Sequence, residues 1–278
     1  MSSHHNSLRW RSGVNLVVIA AALVAITVIT NAYSFNLMLR NFRQSLSSTA
    51  QIYTEQISGK VDKINSGSLE LVSLAASSQN YYTSSPLGRY LTQQDILTRL
   101  QDRIRYVESS DLYFFYRTDS DELLTALSNR PSTGSSYFWN QYLMLPPTQP
   151  ANTWFSVTCN GETWLMCYYN VSQVRVGAAV RAKTLLQSLY ADTGLVQDSG
   201  FALAGLDGTI VYSSQPDLMA CGTSLAGHIP ASLIVESHTV PEVGTLLLFR
   251  PSSDLLHQLS GSFGWLLLLN LLALALIT

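Results

Sequence analysis

Residues 154–169 read WFSVTCNGETWLMCYY, and this stretch decides the fold. At its centre stands Asn160-Gly161, a residue pair that strongly favours a tight hairpin turn because both residues tolerate a positive φ angle. The flanking segments are rich in the aromatic and branched residues that are typical of strands. The pattern predicts a β-hairpin and, with it, an antiparallel sheet in the middle of the chain.

A two-residue turn also determines which residues of the two strands face each other. Cys159 is expected opposite Glu162, and Cys167 opposite Trp154. The two cysteines are then separated by about 17 Å along the strands, which is beyond the reach of a disulfide. Cys221 has no predicted partner, so we expect free thiols.

Further strands are predicted on both sides of the hairpin, in two groups separated by a short helix at 183–190. The strand candidates are residues 111–117, 122–127, 174–180, 201–206, 209–212, 232–239 and 244–249. Asp207-Gly208 predicts a type I′ turn in the later group. Pro251 cannot continue a strand and the serines after it can cap a helix, so we expect the last strand to pass directly into an exit helix.

Upstream of the strands, apolar and small residues recur at steps of three and four, which is the period of one helix face. The members of this stripe are Phe42, Leu46, Ala50, Tyr53, Ile57, Val61, Ile64, Ser68, Leu71 and Ala75. They predict one helix over residues 42–80, with a length of about 58 Å. We expect the stripe to pack on its own domain along part of its length and on a second subunit along the rest.

A second helix is predicted between this long helix and the strands. Its apolar positions are Leu91, Ile96, Leu97, Leu100, Ile104 and Val107. Its expected start is the capping sequence Thr-Gln-Gln-Asp at 92–95. Long helices followed by groups of antiparallel strands predict the α+β class.

Charged residues make up only 12% of the 278 residues, about half the usual share, and none occurs between Arg11 and Arg40 or after Asp254. Residues 14–36 are long and apolar enough for a transmembrane helix. A cleaved signal peptide is the competing interpretation, but its apolar core is usually shorter, about 7–15 residues. Residues 262–278 predict a second transmembrane helix that is truncated, so we expect a fragment, with a natural chain end as the alternative.

The charges near the first span suggest an orientation in the plasma membrane. Arg9 and Arg11 favour a cytoplasmic tail at residues 1–13, so residues 37–261 are expected to be extracytoplasmic. The chain carries 16 Lys and Arg against 18 Asp and Glu, with no basic stripe that would predict nucleic-acid binding.

Sequence motifs for catalysis are missing. The chain has no Gly-x-Ser-x-Gly, no His-Glu-x-x-His and no phosphate-binding glycine-rich loop. Its histidines lack the spacing of metal ligands. We therefore predict no catalytic residues, no metal site, no cofactor and no enzyme activity for this chain.

Aromatic residues are concentrated before and within the central hairpin, where nine of the 33 residues from 137 to 169 are aromatic. Aromatic walls with a few polar groups are typical of small-molecule pockets, although the same residues can form a plain aromatic core. The candidate ligand-binding residues are Tyr113, Arg117, Tyr137, Trp139, Tyr142, Trp154, Trp164 and Tyr168.

The order of these elements resembles the double Cache sensor ectodomains of bacterial receptors, which stack two PAS-like modules. The resemblance is carried by residues 154–189, by FALAGLDGTIVYSS at 201–214 and by FRPSSDLL at 249–256. It implies a long N-terminal helix and one or two PAS-like antiparallel sheets between two transmembrane helices. The distal module would cover about 81–195 and a smaller proximal module about 196–251, with a single long module as the alternative.

The resemblance implies the extracytoplasmic ligand-sensing and signal-transducing part of a bacterial membrane receptor. Its output, missing from this sequence, would be that of a two-component histidine kinase, an AraC-type regulator or another effector. The expected partners are a small-molecule ligand or a ligand-loaded binding protein, and a second copy joined through the long helix and the transmembrane helices. The alternative is a membrane-anchored extracytoplasmic enzyme or assembly subunit.

Amino-acid-binding Cache domains resemble one another in two features. They share an Arg-x-Trp-Tyr-like cluster and a later aspartate that pairs with the amine of the ligand. Here Trp139 matches the tryptophan, but Tyr137 stands in the place of the arginine. No acidic residue lies between Glu162 and Asp192, so an amino-acid ligand is not predicted. A neutral or weakly anionic molecule that binds Arg117, Arg175 or Arg181 is the open alternative, and the competing interpretation is that these arginines are solvated.

Overall fold

The computed structural model describes residues 3–77, 85–107, 110–128, 151–159, 161–191, 199–226 and 229–253. The chain divides into two compact units. One comprises residues 47–230 and 235–249, and the other comprises residues 1–46, 231–234 and 250–278. Helices and two antiparallel sheets make up the described residues, so the α+β class is confirmed.

The first helix, α1 (Ser3–Ser77), is 75 residues long and runs without interruption. It contains a stretch that is long and apolar enough to cross a membrane, and the predicted long helix is its continuation. Nine of the ten stripe residues are buried, and Phe42 is half-buried. The predicted helix face is therefore confirmed up to Ser77, while residues 78–80 and the second apolar segment at 262–278 lie outside the described residues.

The second helix, α2 (Pro86–Tyr106), begins earlier than the sequence predicted. The hydroxyl oxygen of Ser85 accepts a hydrogen bond from the Gly88 N–H at 3.2 Å, and proline occupies the first turn, where its missing N–H costs nothing. The predicted start at Thr92 was wrong, because its hydroxyl donates back to the Gly88 carbonyl inside the helix.

The first sheet has five antiparallel strands in the order β2-β1-β5-β4-β3. The strands are β1 (Leu112–Arg117), β2 (Glu122–Leu127), β3 (Phe155–Cys159), β4 (Glu162–Val171) and β5 (Val174–Arg181). Gly161 adopts the positive φ angle of 78° that the hairpin turn requires. Cys159 lies opposite Glu162, so the predicted register of the central hairpin is confirmed.

Two short helices, α3 (Ala182–Leu185) and α4 (Gln187–Ala191), follow β5 in place of the single helix predicted at 183–190. The helix is interrupted at Leu186, whose N–H donates to the Ala182 carbonyl at 3.0 Å. Leu185 and Leu186 are both fully buried, although they are neighbours in sequence.

The second sheet has four strands in the order β7-β6-β9-β8. They are β6 (Gly200–Gly205), β7 (Ile210–Ser213), β8 (Leu233–Val240) and β9 (Gly244–Pro251). The predicted type I′ turn at Asp207-Gly208 was wrong, because only the glycine has a positive φ angle. The Asp207 carboxylate instead accepts a hydrogen bond from the Thr209 N–H at 2.9 Å, which favours a different turn.

The last strand passes directly into helical backbone, as the sequence predicted. Strand β9 ends at Pro251, so the expectation that this proline does not continue the strand was wrong, and residues 252–253 are helical. Near this junction the guanidinium carbon of Arg250 lies 5.4 Å from the centre of the Phe42 ring of α1. The exit from the second sheet therefore lies beside the helix that leads to the N-terminal apolar stretch.

Candidate ligand-binding face of the first sheet

Side chains alternate along each strand, so the first sheet has two faces with different surroundings. We call one the aromatic face; it is formed by Leu112, Phe114, Tyr116, Val157, Trp164, Met166, Tyr168 and Ala179, which pack in one buried cluster. The other is the helix-facing face, which carries Tyr113 and contacts α1. The candidate site residues are divided between these two faces.

On the helix-facing face, two of the candidate residues contact α1 directly. The Tyr113 hydroxyl donates to the Ile64 carbonyl at 3.3 Å, and a Cβ at Gly67 would collide with the same hydroxyl. The Trp154 Nε1–H donates to Asn65 Oδ1 at 3.2 Å. Burial raises the pKa of Tyr113 to about 12. Both aromatic residues fix the sheet to the helix.

Arg117 shares the helix-facing side of β1 with Tyr113, because the two residues are separated by an even number of positions. Its side chain is 5% exposed, and its guanidinium lies 3.3 Å from the Asp119 carboxylate through two hydrogen bonds. The pair joins the end of β1 to the turn that follows it. An ion pair at this position stabilises the turn.

On the aromatic face, Tyr168 lies beside a buried arginine. The guanidinium carbon of Arg175 is 5.1 Å from the centre of the Tyr168 ring and 5.6 Å from that of Tyr116. Arg175 Nε donates to Asn170 Oδ1 at 3.4 Å, and the residue is 7% exposed. Burial lowers the pKa of Arg175. A guanidinium between two phenol rings can bind an anionic or hydrogen-bonding ligand group.

The polar character of this end of the sheet continues towards the β1–β2 turn. The Tyr116 hydroxyl donates to Asp121 Oδ1 at 2.9 Å, and burial, followed by this hydrogen bond, raises the pKa of Tyr116. Phe155 meets the Tyr168 ring edge-on, with ring centres 6.0 Å apart. Aromatic walls around a small number of polar groups are thus present at this end.

The opposite end of the aromatic face is closed by an ion pair. The Arg181 guanidinium and backbone N–H both donate to the Asp111 carboxylate at 2.8 Å. The hydrogen bond to Asp111 raises the pKa of Arg181. The guanidinium carbon also lies 5.6 Å from the centre of the Trp164 ring. Arg181 is therefore engaged within the protein, where it joins β5 to the start of β1.

Not all predicted candidates are brought together. Trp164 and Tyr168 lie on the aromatic face, whereas Tyr113, Arg117 and Trp154 lie on the helix-facing face. Tyr137, Trp139 and Tyr142 lie outside the described residues. Sequence reasoning missed Tyr116, which alternation along β1 places with Phe114 rather than with Tyr113.

A separate cleft of about 870 Å³ lies near the β3–β4 turn and the second sheet. Its lining includes Glu162, Arg181, Lys183, Gln187, Tyr190 and Tyr212. The Tyr190 and Tyr212 hydroxyls are in contact, and burial raises the pKa of Tyr212. Both acidic and basic groups line this cleft, so its charge does not select one class of ligand.

The cysteine side chains that the structure describes are free thiols, as expected from the register. Cys167 is buried and Cys221 is exposed. Burial raises the pKa of Cys167 to about 12, which keeps the thiol protonated and unreactive at neutral pH.

The arrangement of long helix and two antiparallel sheets matches solved structures. The periplasmic sensory domain of the Campylobacter jejuni chemoreceptor Tlp1 aligns with a TM-score of 0.55 over 78% of this chain and 97% of that one, at 10% identity. The chain has the fold of a periplasmic sensory domain. The fold expected from the double Cache resemblance is therefore confirmed.

Two further sensory domains match this sensory fold more loosely. The Campylobacter jejuni Tlp3 domain with isoleucine bound has a TM-score of 0.48 at 10% identity, covering 82% of this chain and 98% of its own. The Vibrio cholerae LuxQ periplasmic domain has a TM-score of 0.41 at 13% identity, covering 74% and 98%. No protein-family model matches the chain, and no curated protein sequence matches it.

Proposed function

We propose that the chain is the extracytoplasmic ligand-sensing and signal-transducing part of a bacterial membrane receptor. The observation that carries the proposal is the sensory fold, which matches 97% of the Tlp1 domain. Helix α1 supports it, because it runs unbroken from the apolar stretch to the stripe that packs on the sheets. A displacement of the first sheet on α1 would therefore reach the membrane end of the same helix.

The surface of α1 supports the first of the two membrane spans that we propose, while the orientation and the second span rest on the sequence. Val17, Val24 and Ile29 are exposed by 66%, 63% and 68%. A band of large exposed apolar side chains is unfavourable in water and is satisfied by lipid. We assign residues 14–36 to a transmembrane helix in the plasma membrane, residues 1–13 to the cytoplasm, residues 37–261 to the extracytoplasmic side and residues 262–278 to a second span.

The ligand site that we propose is the polar end of the aromatic face. Arg175 would bind an anionic or strongly hydrogen-bonding group of the ligand, while the rings of Tyr116 and Tyr168 flank it. Trp164 and the sequence candidates Tyr137, Trp139 and Tyr142 remain proposed contacts. In this proposal Tyr113 and Trp154 hold the sheet on α1 and do not contact the ligand.

A homodimer is proposed through α1 and the transmembrane helices. Two large apolar residues of α1 outside the buried stripe, Ile52 and Leu69, are exposed by 56% and 52%. Apolar side chains that a long helix leaves exposed can pack against a second copy, and these two residues are the support for the proposal. Chemical crosslinking of the full chain in membranes should yield a dimer, and a monomer alone would contradict this assignment.

A thermal-shift screen of the full chain in detergent micelles tests the sensor proposal. The probes are small mono- and dicarboxylates, neutral amides and amino acids, each measured with and without a search for product. Stabilisation by one class without turnover is the expected result. Turnover that is abolished by changing one polar residue would instead favour the membrane-anchored enzyme. If free metabolites have no effect but a periplasmic binding protein stabilises the chain, the ligand is bound by that partner and not by this chain.

A further inference from the structure

One side-chain amide of α1 contacts both sheets. Asn65 Oδ1 accepts a hydrogen bond from the Trp154 Nε1–H at 3.2 Å, immediately before β3 of the first sheet. Its Nδ2 donates to Glu242 Oε2 at 2.7 Å, in the turn between β8 and β9 of the second sheet. Three elements that are distant in sequence therefore meet at Asn65.

The chemistry of the three groups fixes the direction of both hydrogen bonds. An indole N–H can only donate, and an ionised carboxylate can only accept. The amide of Asn65 offers one acceptor and one donor end, so only one orientation satisfies both neighbours. The bond to Glu242 is charge-assisted and solvent-exposed, whereas the bond from Trp154 is partly buried. A movement of Trp154 therefore acts on the amide that holds Glu242.

The backbone at Glu242 supports a role for its side chain. Its φ angle is 64°, in the left-handed region that residues with a Cβ adopt at a cost in free energy and that glycine adopts freely. The turn closes through the Val243 N–H and the Val240 carbonyl at 3.3 Å. A glutamate in a strained position, with its carboxylate on α1, indicates that the side-chain contact offsets the strain.

We propose that Asn65 is a coupling residue that transmits displacement of the first sheet at Trp154 to the β8–β9 turn of the second sheet. From this turn, β9 runs to Pro251, where helical backbone begins. The linkage thus leads from the sheet that carries the candidate ligand site to the exit from the second sheet. It goes beyond the proposed sensor function and does not depend on the identity of a ligand.

Hydrogen exchange of the full chain in nanodiscs tests this linkage. Trp154→Phe keeps an aromatic ring and removes the indole donor. We expect the Val243 amide to exchange between about twofold and tenfold faster, which is the effect of weakening one hydrogen bond. In a protein that already carries Asn65→Ala, Trp154→Phe should not accelerate exchange of the Val243 amide any further. Tyr113→Phe is the matched control, because it removes a donor to the Ile64 carbonyl of α1 and leaves both hydrogen bonds of Asn65 in place.

Three results would overturn the proposal. The first is an unchanged Val243 amide in Trp154→Phe. The second is that Trp154→Phe accelerates exchange of this amide by the same factor when Asn65→Ala is already present. The third is that Tyr113→Phe accelerates its exchange as much as Trp154→Phe does, which would indicate general loosening of the sheet on α1. Glu242→Gly relieves the backbone strain and should make the turn insensitive to Trp154→Phe. A failed ligand screen would count against the proposed sensor function and would leave this linkage untouched.

Discussion

The two faces of the first sheet have similar amino-acid compositions but different environments. The helix-facing face meets α1 through hydrogen bonds from Tyr113 and Trp154 and a close approach at Gly67. The aromatic face places Arg175 between two phenol rings. An aromatic residue near a hairpin therefore acquires its role from its face, because alternation along the strand selects its neighbours.

The largest expected effect concerns packing on the helix-facing side. Ile64→Ala removes a fully buried side chain from α1 and should lower the free energy of unfolding by about 2–5 kcal/mol. Lys63→Ala is the control on the same helix, because Lys63 is exposed and its substitution should cost well under 1 kcal/mol. Urea titration of both variants measures the difference. Equal losses would contradict the tight contact between α1 and the sheet.

Alkaline pH should loosen the helix-facing face in particular. Burial raises the pKa of Tyr113 to about 12, so its contribution to stability is complete below about pH 10 and is lost as the pH rises towards 12. The loss from this group approaches about 2–3 kcal/mol by pH 12. Tyr113→Phe should make the pH dependence of the free energy of unfolding shallower between these values. A curve as steep as that of the unsubstituted protein would contradict this assignment.

A smaller effect is expected at the glycines of α1, and it has opposite signs at two positions. Gly59 has open space around it, so Gly59→Ala should stabilise the helix by about 0.5–1 kcal/mol. A Cβ at Gly67 meets the Tyr113 hydroxyl, so Gly67→Ala should destabilise the protein by about 1–2 kcal/mol. In a Tyr113→Phe background that cost should fall. If alanine stabilised the protein at both positions, the contact between α1 and Tyr113 would not require a glycine at position 67.

Periodicity and turn chemistry made much of this fold predictable. The stripe from Leu46 to Ala75 was found from its steps of three and four, because one face of a helix must be apolar to pack. The central hairpin and its register followed from Asn160-Gly161. The start of α2 was missed because two capping signals lie close together. The Thr-Gln-Gln-Asp motif at 92–95 was chosen, whereas the helix begins after Ser85 and has proline in its first turn.

The candidate site was only partly predictable, although the register of the central hairpin already separates two of its tryptophans. If Cys167 lies opposite Trp154, then Trp154 shares a face with Cys167 and not with Tyr168. Alternation along β4 places Trp164 with Tyr168, so the two tryptophans belong to different faces. The register of the hairpin gives no information about where α1 lies. The position of α1 determines which face of the sheet is covered by a helix. That choice depends on tertiary packing, since both faces carry apolar and aromatic side chains.

The measurement that tests the ligand site most directly is the ligand-induced thermal shift of the full chain in three variants. The probes are mono- and dicarboxylates at about one hundred times the dissociation constant, where binding should raise the Tm by about 5–10 °C. Arg175→Gln should abolish this shift. Arg89→Gln, at an exposed arginine of α2, and Trp154→Phe, on the helix-facing face, should both keep it. A shift that survives Arg175→Gln, or that is lost in a folded Trp154→Phe variant, would contradict the assignment of ligand binding to the aromatic face.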